Sequence, residues 1–141
     1  MTLNIILDTN IIYAGLRSKQ GASYRLLSLL GSGKFKINIS VPLIIEYEDV
    51  LKRADNKLTF TNEQIDAYLD YLCLIGNLHD IFFLWRPILK DPEDDMILEL
   101  AVKSNCQYIV TYNKSDFSET DKFGIRLANA KEFLQIINET S

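Results

Sequence analysis

Hydrophobic residues in this chain fall into short runs that stop abruptly at polar or acidic residues. Residues 3–8 are mostly apolar and end at Asp8, and residues 107–111 are mostly apolar and end at Thr111. Apolar runs of this length are typical of strands buried on both faces of a parallel sheet. Residues 35–40 instead alternate between apolar and polar positions, which also indicates a strand. Shorter apolar stretches at 81–85 and 125–127 predict two more strands.

Helical patterns separate these predicted strands. Pro42 suits the first turn of a helix, Thr61 with Gln64 forms a capping-box pattern, and Asp91 followed by Pro92 is typical of a helix start. The predicted helices cover residues 11–17, 22–30, 42–53, 61–75, a segment from 91 onward, and 129–137. Strands alternating with helices predict an α/β fold with three layers (α/β/α) and a central parallel sheet. Residues 1–141 are expected to form a single domain.

Composition and charge narrow the class of protein only slightly. Hydrophobic residues make up 48% of the 141, enough for a core, and the formal net charge of −4 does not suggest nucleic-acid binding. Cys73 and Cys106 lack the spacing of metal ligands and are expected to be buried free thiols in a reducing cytoplasm. The sequence shows neither a signal peptide nor an apolar run long enough to span a membrane, so no membrane association is expected.

Acidic residues are placed where a parallel sheet would gather them. Asp8 ends the first predicted strand, Glu46 lies on a partly apolar helix stripe, and Asp116 follows the strand that ends at Thr111. Asp94 and Asp95 begin another helix, and periodicity alone does not decide which of them faces inward. Carboxyl ends of parallel strands are where ligands bind, and carboxylates are the ligands of hard divalent metals. The pattern therefore indicates metal chemistry on an oxygen-rich substrate.

Four segments in this order resemble the PIN-domain nucleases, and in particular the VapC-like toxins of toxin–antitoxin pairs. The first is Asp8-Thr9-Asn10 after an apolar strand, and the second is Glu46 in a helix that begins near Pro42. The third is the segment from Asp95 to Thr111, which matches the family pattern without a gap, and the fourth is Asn113 with Asp116-Phe117. The resemblance covers nearly the whole chain. It implies a divalent-metal-dependent endoribonuclease in which Asp8, Glu46, Asp95 and Asp116 hold Mg²⁺ or Mn²⁺. Thr9, Asn10, Thr111 and Asn113 would support these acids, and Asp94 would serve the start of its helix.

The resemblance has one departure and several further implications. Asn113 stands where many relatives carry an acid, so the fourth carboxylate is Asp116 or the site has three strong ligands. The resemblance also implies an RNA substrate, a small antitoxin partner and a homodimer, and the free cysteines predict a cytoplasmic location. Contacts to the RNA backbone are expected from a few basic residues, namely Arg17, Lys19, Arg25 and Lys114.

Two other functions fit parts of the same pattern. One is a PIN-fold module that binds RNA or protein without catalysis, which loss of a ligand acid would favour. The other is a phosphatase or phosphotransfer domain on a doubly wound sheet. That class requires a second acid close to the nucleophilic aspartate, and Asp8-Thr9-Asn10 lacks the Asp-x-Asp arrangement.

Overall fold

The computed structural model of the protein describes residues 2–53, 56–81 and 91–138. Within these ranges the chain forms five strands and six α-helices. The strands are β1 (Leu3–Leu7), β2 (Phe35–Ile39), β3 (Asn77–Leu78), β4 (Tyr108–Val110) and β5 (Arg126–Ala128). The helices are α1 (Thr9–Arg17), α2 (Ala22–Ser28), α3 (Val41–Leu51), α4 (Asn62–Ile75), α5 (Pro92–Ser104) and α6 (Ala130–Ile136). Two 3₁₀ helices, Lys114–Phe117 and Thr120–Phe123, lie between β4 and β5.

The strands form one parallel sheet with β1 at its centre. The order is β3-β2-β1-β4-β5, and every pair of neighbours in it is parallel. Leu3 is opposite Phe35 of β2, and Leu7 is opposite Val110 of β4. The predicted α/β/α fold with a central parallel sheet is confirmed. Because all strands run the same way, the residues that follow β1, β2 and β4 emerge at one edge of the sheet.

Helices cover the sheet and bury the apolar strands. α2 packs against α1 and α6, whereas α3 packs against α4 and α5, and α5 lies against β1 and β2. Ile5, Ile6 and Leu7 of β1 are almost completely buried, as expected for a strand covered on both faces. Tyr47 of α3 is also buried, and its hydroxyl donates a hydrogen bond to the carbonyl of Leu7. This contact ties α3 to the last residue of the central strand.

Most predicted elements are present, with shifted ends. The capping box of Thr61 and Gln64 is formed, and the Asp91 carboxylate accepts a hydrogen bond from the backbone N–H of Glu93. The pattern did not predict β3, which has only two residues, Asn77 and Leu78. Of the strand predicted at 81–85, residues 82–85 lie outside the described residues, and Ile81 is not in a strand.

The two cysteines differ in burial. Both are free thiols, and Cys106 is buried as predicted, but Cys73 is exposed, so its predicted burial is wrong. Cys73 follows Leu72, which is on the buried face of α4, and one helical step of about 100° turns the next side chain outward. No helix in the described ranges is long and apolar enough to span a membrane.

Candidate active site

Asp8 stands at the junction between the central strand and the first helix. Its backbone N–H donates to the carbonyl of Val110, 2.9 Å away, which continues the pairing of β1 with β4. Its own carbonyl accepts from the N–H of Ile11 at 3.0 Å, inside the first turn of α1. The backbone of Asp8 is thus fixed by a strand on one side and a helix on the other. Its carboxylate is held at the carboxyl edge of the sheet.

Three donors hold the Asp8 carboxylate. Oδ1 accepts from the backbone N–H of Thr9 at 2.8 Å, and Oδ2 accepts from the hydroxyl of Thr111 at 2.7 Å. The side-chain amide of Asn10 also donates to Oδ2, at 3.3 Å. The three residues that were expected to support this acid, Thr9, Asn10 and Thr111, therefore all donate hydrogen bonds to Asp8. Asn113 joins the same network, because its backbone N–H donates to the Thr111 hydroxyl at 3.0 Å.

Glu46 approaches the site from α3. It lies one turn before Val50, and both side chains line the cleft described below. The pKa of Glu46 is raised to about 7. Burial is the largest cause, followed by the charge of Glu93 and by a hydrogen bond with the Glu93 carboxyl group. The two glutamates therefore share a contact between carboxyl groups, which requires a proton or a cation to offset repulsion.

Asp94, and not Asp95, lines the cleft, which differs from the assignment of Asp95 that the family resemblance implied. Asp94 and Ile97 are three residues apart on one face of the helix, and both line the cleft. Asp95 is half-buried and is not among the lining residues. Asp94 and Asp95 point about 100° apart on α5, and the orientation of this helix turns Asp94, together with Glu93, into the cleft and leaves Asp95 out of it. The packing of α5 against β1 and β2 fixes this orientation of the helix.

Asp116 and Asn113 come from the segment after β4. Asp116 belongs to the 3₁₀ helix Lys114–Phe117, and its backbone N–H donates to the carbonyl of Asn113 at 3.0 Å. Both side chains line the cleft and are exposed. The structure thus brings Asp8, Glu46 and Asp116 together as predicted.

These residues enclose one cleft of about 290 Å³. Half of its described lining residues are acids and none is basic. The acids are Asp8, Glu46, Asp91, Glu93, Asp94 and Asp116, and the others are Thr9, Asn10, Tyr13, Val50, Ile97 and Asn113.

Repulsion between the acids shows in their proton affinities. Burial raises the pKa of Asp94 to about 7, and the charges of Asp8, Asp91, Asp116 and Glu93 contribute in the same direction. Burial also raises the pKa of Asp8, although hydrogen bonds from Thr111 and Thr9 oppose the increase. Three carboxyl groups thus hold protons more tightly than usual. A bound cation would favour their charged forms and so lower these pKa values.

The donor set fits a hard divalent ion. Carboxylate oxygens are the ligands that Mg²⁺ and Mn²⁺ prefer, and Asp8, Glu46, Asp94 and Asp116 could supply them. No three carboxylate, imidazole or thiol groups of the described ranges are arranged as a ready-made metal site. Glu46 is hydrogen-bonded to Glu93 and would have to turn away from it to act as a ligand.

Sequence reasoning missed Glu93 and Tyr13. Glu93 is an acid in the first turn of α5, a position that the helix dipole alone would explain. Tyr13 is one turn after Asn10 on α1, and its hydroxyl accepts from the backbone N–H of Lys57 at 3.2 Å. The spacing of Asn10 and Tyr13 was a usable signal for a shared helix face.

The predicted phosphate-binding residues lie outside the cleft lining. Arg17, Lys19 and Arg25 are exposed, and Lys114 forms an ion pair with Glu132. His79 bonds through Nε2 to the side-chain oxygen of Asn38 at 2.9 Å and is not among the described residues that line the cleft.

Comparisons with known proteins identify the fold and the family of this chain. Comparison of the sequence with characterised proteins gave no significant match. Among solved structures, the fold is similar to a chain of VapBC2 from Rickettsia felis, a complex bound to a DNA fragment from its promoter. The TM-score is 0.61 at 20% identity over 90% of this chain and 98% of that one. It is also similar to a chain of VapBC-1 from nontypeable Haemophilus influenzae, with a TM-score of 0.60 at 18% identity over 91% and 98%.

A third similar structure is FitAB bound to an IR36 DNA fragment. Its TM-score is 0.61 at 16% identity, over 89% of this chain and 94% of that one. At these identities the likeness establishes the fold. The PIN-domain family profile matches residues 4–115, most of the chain and all of the acids in the cleft except Asp116. The chain therefore belongs to the PIN-domain family of nucleases.

Proposed function

We propose that this protein is a Mg²⁺- or Mn²⁺-dependent endoribonuclease and the toxin component of a toxin–antitoxin pair. The observation that supports it most is the convergence of Asp8, Glu46, Asp94 and Asp116 on one cleft whose described lining contains no basic residue. This set differs from the sequence-based set in one member, since Asp94 replaces Asp95. Such a cleft binds divalent cations and, with them, a phosphodiester.

The residues of the cleft would divide the work. Asp8 would be the least mobile ligand, because three donors fix its carboxylate. Glu46, Asp94 and Asp116 would complete the oxygen ligands from α3, α5 and the 3₁₀ helix. A bound divalent ion would supply an activated water and neutralise charge on the scissile phosphate. Thr111 and Asn10 would orient Asp8, and Asn113 would act through Thr111.

The direct test is a cleavage assay with unstructured RNA in Mn²⁺, Mg²⁺ and EDTA. Asp8→Asn should abolish metal-dependent cleavage while leaving the fold intact, because one ligand charge is lost without a change in volume. Asp70→Asn, an exposed acid on α4, is the matched control and should cut as the wild type does. Full activity of Asp8→Asn would refute the mechanism.

The same assay separates the two competing functions. A catalytically inactive PIN-fold module would bind RNA but cut it in none of the metals. A phosphatase would release phosphate from a monoester and leave internal phosphodiester bonds intact.

Partners follow from the same resemblance. The fold similarity to chains of VapBC and FitAB structures supports a small antitoxin encoded beside this chain. An arginine from such a partner could pair with the cleft acids in place of metal. A homodimer is supported by exposed apolar side chains, with Leu74 82% and Leu78 60% exposed. Light scattering of the purified chain tests the dimer. Co-expression with the neighbouring reading frame in the cytoplasm tests whether its product binds this chain as an antitoxin.

A further inference from the structure

Tyr112 is an exposed aromatic residue held in a fixed position beside the acidic cleft. Its side chain is 46% exposed. It lies between Thr111, whose hydroxyl donates to Asp8, and Asn113, which lines the cleft. Among the exposed aromatic residues that the structure describes, it alone directly follows a residue that bonds Asp8.

Hydrogen bonds fix this residue at both ends. Its backbone N–H donates to Oδ1 of Asn10 at 3.3 Å, and the amide group of the same Asn10 donates to Asp8. Its hydroxyl is 2.5 Å from the hydroxyl of Ser23, a buried residue of α2. The ring therefore has little freedom to lose when something packs against it.

The packing of α2 on α1 keeps Ser23 in place. A Cβ built on Gly15 of α1 would lie 2.3 Å from Cδ1 of Leu27 and 3.1 Å from the carbonyl oxygen of Ser23. The two helices are thus as close as a glycine allows. Because α1 begins next to Asp8, the distance between the Tyr112 ring and Asp8 is set by rigid elements.

The negative charge of the site means that affinity for a polynucleotide must come from contacts other than electrostatic attraction. Half of the described cleft lining is acidic, and the whole chain carries a formal net charge of −4. Contacts with phosphate are thus few, and electrostatic attraction, the usual source of affinity for nucleic acids, is weak. Unpaired bases also bind by stacking on aromatic rings, and this contact does not depend on charge.

We infer that Tyr112 is a stacking platform for an unpaired base of the RNA next to the bond that is cut. The inference rests on the proposed ribonuclease function and adds to it the requirement for a single-stranded nucleotide beside the scissile phosphate. Tyr112 is a binding residue in this role: it contributes to affinity and to the choice of substrate, while the acids of the cleft carry the chemistry.

The experiment measures binding of a short unstructured RNA that carries 2-aminopurine, whose fluorescence falls when it stacks. Binding is measured in Mn²⁺ in an Asp8→Asn background, the variant expected not to cleave, so that the RNA stays intact. Tyr112→Ala should weaken binding roughly 5- to 150-fold, the range for loss of one stacked base, and should abolish the quenching of fluorescence. Tyr112→Phe and Tyr112→Trp should retain both, because they keep an aromatic face.

A matched control and a salt series separate stacking from structure. Tyr71 is also a partly exposed tyrosine, 38% exposed, and its hydroxyl donates to the carbonyl of Leu30 at 3.1 Å, before β2 begins. That places it at the other edge of the sheet, so Tyr71→Ala should bind RNA as the background does. Tyr112→Ala should leave the slope of log affinity against log salt unchanged, because no phosphate contact is removed.

The outcomes distinguish this inference from the proposed function. If folded Tyr112→Ala binds RNA as tightly as its background, or if Tyr112→Phe loses as much affinity as Tyr112→Ala, the stacking role is overturned. In the first case, the exposed ring would instead be assigned to an interface with a partner protein. If the wild-type chain cuts RNA and Tyr112→Ala does so with an unchanged KM, stacking is overturned and the ribonuclease proposal stands. If the wild type neither binds nor cuts RNA, both fail.

Discussion

Single residues decide how the acids of the cleft behave. Asp8 has donors for both of its carboxylate oxygens, whereas Glu46 has another carboxyl, that of Glu93, as its partner. Asp8 is therefore fixed in position, and Glu46 is held by an interaction that metal binding would break. Repulsion between the acids of the cleft therefore affects the protonation of each carboxyl group to a different degree.

The neighbouring acids of α5 give a sharp test. Asp94→Asn should weaken Mn²⁺ binding by at least about tenfold, because a charged ligand of the cleft is lost. Asp95→Asn should change Mn²⁺ affinity little, since Asp95 does not line the cleft. Titration with Mn²⁺, followed by the melting temperature or by calorimetry, measures both. The opposite ranking would mean that Asp95 holds the metal, as the family resemblance implied.

Acid should stabilise the protein when no metal is present. Glu46 and Asp94 have pKa values of about 7 in the folded chain, and carboxyl groups in an unfolded chain titrate near 4. Between these values the folded state binds more protons, so stability falls as pH rises through this range and the penalty is complete above pH 7. In EDTA, the melting temperature should therefore rise as pH is lowered from 8 to 6.

The control for this pH effect is Asp94→Asn, which removes one of the titrating groups. Its metal-free form should be more stable than the wild type at pH 8, and its gain on acidification should be smaller. A melting temperature that falls for the wild type between pH 8 and 6 would contradict the raised pKa values.

At the scale of elements, the close packing of α1 and α2 depends on one glycine. Alanine usually stabilises a helix relative to glycine by up to about 1 kcal/mol. At Gly15 a methyl group would lie 2.3 Å from Cδ1 of Leu27, so Gly15→Ala should instead destabilise the protein by about 1–3 kcal/mol, the usual cost of overpacking. Urea denaturation measures the change.

A double variant identifies the cause of that loss. Leu27→Ala alone should also destabilise the protein, because it leaves a cavity. Combined with Gly15→Ala, the total loss should be smaller than the sum, since the truncated side chain makes room for the new methyl group. Strictly additive losses would show that Leu27 is not the obstacle.

Local sequence patterns predicted elements whose signals lie within their own residues. β1 and β4 have apolar runs, β2 has an alternating pattern, and α4 and α5 carry their caps at Thr61 and Asp91, so their positions were correct to within a few residues. β3 has two exposed residues, Asn77 and Leu78, and exists because β2 offers it a partner. Such a strand has no local signal, since its hydrogen bonds come from a segment far away in the sequence.

The acids of the cleft were predictable to the extent that a strand end fixes them. Asp8 was identified from its strand, and Asp116 from the order of motifs after Thr111. The choice between Asp94 and Asp95 depends on how α5 is rotated against the sheet, which three or four apolar neighbours on the helix do not determine. Glu93 was missed because an acid in the first turn already has a sufficient local explanation.

The whole molecule should respond to metal as one unit. The acids that converge on the cleft belong to the regions around β1, α3, α5 and the segment after β4. An ion that binds this arrangement binds only the folded chain, so Mn²⁺ should raise the melting temperature measured in EDTA, and more so at higher concentration. An unchanged melting temperature in excess Mn²⁺ would count against a metal site in this cleft.

The central position of β1 has a consequence for synthesis. β1 is made before the other strands of the sheet and lies in its middle, and Asp8 must wait for Thr111, 103 residues later, to receive its hydrogen bond. At roughly 5–20 residues per second this wait lasts several seconds. A chain stopped after Asn105 lacks β4 and β5 and should show neither a cooperative melting transition nor metal-dependent cleavage of RNA. If the protein is the proposed ribonuclease, a nascent chain would then leave its own mRNA intact until β4 and β5 have been made.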